Sequence, residues 1–117
     1  INVFDWTEGP DQSEYLYETI VYASLVIDDV DVTNAIDDIE VVAVVDGEVR
    51  THAQMKEAYG INYLLFRIGS YWPGEIATLE CYHPQLHERF VFQEVKLNGG
   101  TYGRLSELVE LVGYSKD

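Results

Sequence analysis

The chain has 117 residues, with 21 acidic and 7 basic side chains and a formal net charge of −14 at pH 7. That length is one domain, here residues 1–117, and 47% hydrophobic residues is too apolar for a disordered chain. Charged residues make up only 24%, so the imbalance lies in sign and not in abundance. A negative field of this size repels phosphate backbones and anionic membrane surfaces, which excludes nucleic acid and membrane as expected partners. A neutral ligand, a cation or a basic protein stays open.

The first element in chain order is a strand. From Tyr17 the apolar and β-branched residues alternate, placing Tyr17, Thr19, Val21, Ala23, Leu25 and Ile27 on one face. Asp28-Asp29 either turns this strand tightly into Val30-Asp31-Val32 or opens a looser connection. Ile39–Val45 is a continuous apolar run too short for a helix, and it predicts a strand buried on both faces. Asp46-Gly47 is the strongest turn signal, since Asp-Gly suits a type I′ hairpin, and residues 48–53 form the return strand. Gln54–Gly60 is expected to be a connection. Residues 62–68 read as a strand with Tyr63, Leu65 and Arg67 on one face and Leu64, Phe66 and Ile68 on the other. After the turn Gly69-Ser70-Tyr71-Trp72-Pro73-Gly74 come a strand at 76–82, a turn at 83–87 and a strand at 89–96. Residues 106–112 fit either a short helix, through the spacing of Leu105, Leu108, Val109 and Val112, or an edge strand.

Seven or eight short strands with regular turns predict an all-β fold, an antiparallel β-sandwich of Ig-like or jelly-roll-like topology. The single cysteine, Cys81, rules out an intramolecular disulfide and a Cys-based metal site, and its alternating position predicts a buried thiol. No apolar stretch reaches the roughly 18 residues of a membrane span. The chain opens with Ile1, not Met, and has no visible signal peptide, so it reads as a mature or excised piece of something longer.

Residues 36–50, Ile36-Asp37-Asp38-Ile39-Glu40-Val41-Val42-Ala43-Val44-Val45-Asp46-Gly47-Glu48-Val49-Arg50, carry a family likeness. So do Gly69–Tyr82 and the closing Phe90-Val91-Phe92 with Asn98-Gly99-Gly100-Thr101-Tyr102-Gly103. Together they resemble small extracellular β-sandwich modules of secreted, multi-modular bacterial proteins. The departures are Val44 where that family carries Phe, Thr51 where Gly follows the Arg, and Tyr71-Trp72 in place of small polar turn residues. The resemblance implies a non-catalytic, secreted module within a larger protein. It supplies no ligand.

The residues themselves point to polysaccharide as a partner. Sugars stack their C–H faces on aromatic rings while polar side chains bond the hydroxyls, and this needs no positive charge. Tyr71 and Trp72 are the candidate rings, because a turn between Gly69 and Pro73-Gly74 places them at a loop tip. Trp6 and Tyr82 are candidate flanking rings, and Glu75 and Gln85 candidate hydroxyl partners. The rival reading folds Trp72 over the sandwich end as a cap on the core.

Eight acids fall between Asp28 and Glu48 with no base among them. Calcium takes six to eight oxygens, and Asp29, Asp31, Asp37 and Asp38 are its candidate ligands, in a structural or adhesion spacer stabilised by the ion. An EF-hand spacing is absent, and a solvated acidic edge that resists strand pairing explains the same residues. The net charge also suits an acidic inhibitor or immunity-type protein docking on a basic partner. His83 and His87 flank Pro84 and read as turn histidines. No nucleophile elbow and no phosphate-binding Gly-rich loop is present, so no enzymatic activity is expected.

Overall fold

The computed structural model describes residues 7–9, 14–35 and 39–116. In chain order the strands are β1 (Thr7–Glu8), β2 (Tyr17–Ile27), β3 (Val30–Asp31), β4 (Glu40–Val45), β5 (Glu48–His52), β6 (Gln54–Ala58), β7 (Ile61–Ser70), β8 (Glu75–His83), β9 (Glu88–Leu97), β10 (Thr101–Tyr102) and β11 (Val109–Gly113). A 3-10 turn, Thr33–Ala35, follows β3. One sheet has the order β1-β5-β4-β8-β9 and the other β10-β2-β7-β6, with β3 and β11 also on β2. The fold is an all-β, mostly antiparallel sandwich. The arrangement β2-β7-β6 over β5-β4-β8-β9 is the strand order of an immunoglobulin-type Greek key, in which B, E and D face C′, C, F and G.

Alternation builds the core. Val21, Ala23 and Leu25 of β2 and Leu64, Phe66 and Ile68 of β7 are fully buried against Val41, Ala43 and Val45 of β4 and Ala77, Leu79 and Cys81 of β8. The same alternation in β4 turns Val42 and Val44 to the opposite face, where they form a second cluster with Val49 and Tyr82. The strand is thus buried on both sides, as its unbroken apolar run predicts. Burial pushes the Cys81 thiol up to about 12, so it is an inert core residue.

Three hairpins close on two left-handed residues each: Asp28-Asp29 (φ 51° and 66°), Asp46-Gly47 (51° and 79°) and Tyr59-Gly60 (54° and 77°). These are the signs of a type I′ turn, whose twist matches the flanking strands. The first decides for the tight turn after β2, with Ile27 paired to Val30. The third corrects the expected connection at Gln54–Gly60: residues 54–58 form the edge strand β6, antiparallel to β7. Tyr59 hid this hairpin, because an aromatic side chain is poorly suited to the left-handed region. It is 95% exposed and gains no burial in return. A Tyr59→Asn change should therefore raise stability by up to about 1 kcal/mol, measured by urea unfolding; an unchanged or lower midpoint would contradict the strain.

Residues 109–113 settle the other open element. They form a strand parallel to β2, with Val109 opposite Ala23 and Leu111 opposite Leu25. Gly113 ends it where an added Cβ would stand 2.8 Å from the Phe90 ring, so β11 packs tightly against β9 across the sandwich edge. Beyond it Ser115 donates its N–H and its hydroxyl to Asp28, and the Lys116 N–H reaches Glu88.

Candidate functional site

Residues 71–74 link β7 to β8 at one end of the sandwich. The same end carries the β4–β5 turn and the start of β2, through the pairing of Tyr17 with Ser70 and of Val45 with Glu48. Gly74 (φ 108°) supplies the left-handed step that brings the turn back into β8. Trp72 is 60% exposed and Tyr71 37%. Their rings lie 6.2 Å apart and are tilted by 34°. Trp72 therefore does not cap the core.

What holds this turn is Arg50. The pairing of β4 with β5 slips by one residue, because Ala43 faces Thr51 while Val44 faces Val49. Arg50 is the extra residue of this bulge, and a bulge re-aims its side chain. Here the guanidinium is buried, with 6% exposure, and reaches across to the end of β7 and the start of β8. Its Nη2 donates to Glu75 Oε1 at 2.7 Å, Nη1 to the Gly69 carbonyl at 2.9 Å and Nε to Glu48 Oε1 at 2.6 Å. Its Cζ stands 4.9 Å from the Tyr15 ring centre and 5.2 Å from that of Tyr71. Those two rings are themselves 4.9 Å apart. The charge is thus shared between two carboxylates and two ring faces.

Glu75 closes the arrangement from the turn side. Its Oε2 accepts the Tyr71 N–H at 2.7 Å. Burial by itself would push the Glu75 carboxyl up, but the hydrogen bonds from Arg50 and from the turn's backbone outweigh it and hold the group below its ordinary value. Tyr15 lies over Gly69, where a Cβ would come within 2.2 Å of its ring. Burial, then the Glu48 charge, push the Tyr15 phenol up to about 12, so it stays a neutral donor to Glu48 Oε1 at 3.4 Å.

The residues nominated from the sequence separate into groups. Tyr71 and Trp72 share the turn, and Glu75 lies beneath them with its carboxylate given to Arg50 and the Tyr71 N–H rather than to the surface. Tyr82 and Gln85 belong to the opposite end. Glu75 and Tyr82 stand seven positions apart along β8, about 23 Å at strand rise. Tyr82 packs on the Val42, Val44 and Val49 cluster, and Gln85 sits in the β8–β9 turn. Neither can share a ligand ring with Trp72. Trp6 lies outside the described residues.

Of the calcium candidates, Asp37 and Asp38 also lie outside the described residues. Asp29 accepts the Tyr114 hydroxyl at 3.2 Å, and Asp31 accepts the Thr33 N–H at 2.9 Å to start the 3-10 turn. Among the described residues no group of three or more His, Cys, Asp or Glu side chains is placed to hold a metal ion. No helix among them is long and apolar enough to cross a membrane.

Sequence reasoning missed Tyr15, Glu48 and Arg50. Arg50 carried one faint signal, a charge within the residues 48–53 read as a return strand. No family model matches the chain, and neither a curated protein nor a solved structure matches it.

Proposed function

We propose that this chain is a non-catalytic module that binds polysaccharide through the Tyr71–Trp72 turn, as part of a larger secreted bacterial protein. The reading is carried by one observation, a tryptophan 60% exposed on a turn whose backbone is pinned from below by Glu75 and Arg50. An exposed Trp gains nothing for folding, and a rigid loop loses little entropy when a ligand stacks on it. The 34° tilt between the two rings means that they do not form one flat platform for an extended chain. The family likeness in the β4–β5 and β7–β8 hairpins supports the secreted, modular setting.

Affinity electrophoresis through gels holding soluble glucans, mannans or xylans tests it. At least one glycan should retard the protein. Trp72→Ala should weaken that binding by about thirtyfold, the loss typical of a central aromatic anchor, without lowering the melting temperature. Free migration in every gel, or equal retardation of the variant, would remove this function.

A further inference from the structure

We infer that Glu48 is the residue that bonds the ligand's hydroxyls at this turn, and that its charge turns anionic glycans away, so that the ligand class is a neutral polysaccharide. This rests on the glycan-binding reading of Tyr71 and Trp72. Two carboxylates meet Arg50, and they differ in what they have left to give. Glu75 is buried, with Oε1 on Arg50 and Oε2 on the Tyr71 N–H. Glu48 is bonded through one oxygen: Oε1 accepts Arg50 Nε at 2.6 Å and the Tyr15 hydroxyl at 3.4 Å. Among the described residues Oε2 accepts no hydrogen bond, and the Glu48 side chain is 34% exposed. Its position is fixed from three sides, by the bulge at Arg50, by Tyr15 and by Gly9, where a Cβ would stand 3.0 Å from Glu48 Cγ. Chaining the Arg50 contacts places Oε1 no more than about 9 Å from the Tyr71 ring centre. That is within the compass of a sugar stacked on the turn and turning a hydroxyl inward.

The chemistry follows from the charge. A fixed carboxylate oxygen with open lone pairs accepts hydroxyl donors through charge-assisted bonds. The same oxygen repels a carboxylated or sulfated sugar, and the protein's charge of −14 adds to the repulsion. Glutamate at this position therefore both attracts and selects.

The test compares the wild type, Glu48→Gln and Trp72→Ala on paired gels, hydroxyethylcellulose against carboxymethylcellulose and dextran against dextran sulfate. Every neutral glycan that retards the wild type is included. Glu48→Gln should bind the neutral glycan at least about tenfold more weakly, as expected for one charge-assisted bond. The preference for neutral over anionic members of a pair should shrink as well. Thermal unfolding checks that the variant is folded; if it is not, Glu48→Asp keeps the charge but withdraws it by one methylene, and should still weaken binding several-fold. If Trp72→Ala abolishes retardation while both Glu48 variants bind as the wild type does, the role of Glu48 is refuted and the glycan reading stands. If no glycan retards the wild type, both fall together.

Discussion

Arg50→Ala is expected to lower the free energy of unfolding by about 3–5 kcal/mol, the usual result of breaking a buried ion pair from one side. The change removes the hydrogen bonds to Glu48, to the Gly69 carbonyl and to Glu75, and leaves the buried Glu75 carboxylate without its cation. Urea unfolding at several pH values gives the sharper signature. In the wild type Glu75 titrates below its ordinary value of 4.5, so the pair's stability is complete above that value and is lost as pH falls through the lower, folded-state pKa. In Arg50→Ala the desolvation remains while only the turn's backbone N–H groups oppose it, so the carboxyl titrates higher than in the wild type and the stability lost on acidification through Glu75 shrinks. Arg50→Lys should fall between the two, since an ammonium keeps the charge but not the fork that meets Glu75, Glu48 and the Gly69 carbonyl together. A midpoint for Arg50→Ala within about 0.5 kcal/mol of the wild type, with the same pH slope, would show that the cluster does not support the turn.

Gly69→Ala is the second large effect. The new methyl would meet the Tyr15 ring at 2.2 Å on Cδ2 and 2.5 Å on Cγ, on a strand segment fully enclosed between β2 and the turn. Neither side can yield cheaply. Gly69, in β7, pairs with Glu18 of β2 and lends its carbonyl to Arg50, while Tyr15 is held by Glu48, by the Arg50 guanidinium and by the Tyr71 ring. Overpacking of this kind costs about 1–3 kcal/mol, and Tyr15 must leave its seat. The expulsion should be visible as a loss of near-ultraviolet circular dichroism from the tyrosines and as weaker glycan retardation, although residue 69 faces no ligand. Native stability and an unchanged spectrum would contradict the packing described.

The sandwich was largely legible in the residues. Alternation from Tyr17 gave the buried face of β2, the apolar run gave β4, and Asp46-Gly47 gave its hairpin, because each rests on neighbours in sequence. Where the reading slipped, a local signal competed with a distant one. Leu105, Leu108, Val109 and Val112 carry helical spacing, yet pairing with β2 drew residues 109–113 into a parallel strand. Tyr59 belongs to no usual turn composition, and only the ladder between β6 and β7 forces it into one. The same division holds at the candidate site. Tyr71 and Trp72 could be placed on a turn from Gly69 and Pro73-Gly74 alone. Tyr15, Glu48, Arg50 and Glu75 come from the segment before β2, from β5 and from the start of β8, and they meet through the packing of those segments, which no local spacing announces.

Strand β11 also determines how the domain would bear tension. It runs parallel to β2, ends at the pole opposite the Tyr71–Trp72 turn, and is fastened there to Asp28 and Glu88. A pull upstream on β2 and downstream on β11 therefore acts along the two strands in opposite directions. The five-residue ladder between them is loaded in shear, so its hydrogen bonds must yield together and cannot peel apart one at a time. Force applied in this way enters beside the aromatic turn, because Tyr15, two residues before β2, lies against Tyr71 and Gly69, and it leaves at the opposite pole through Gly113.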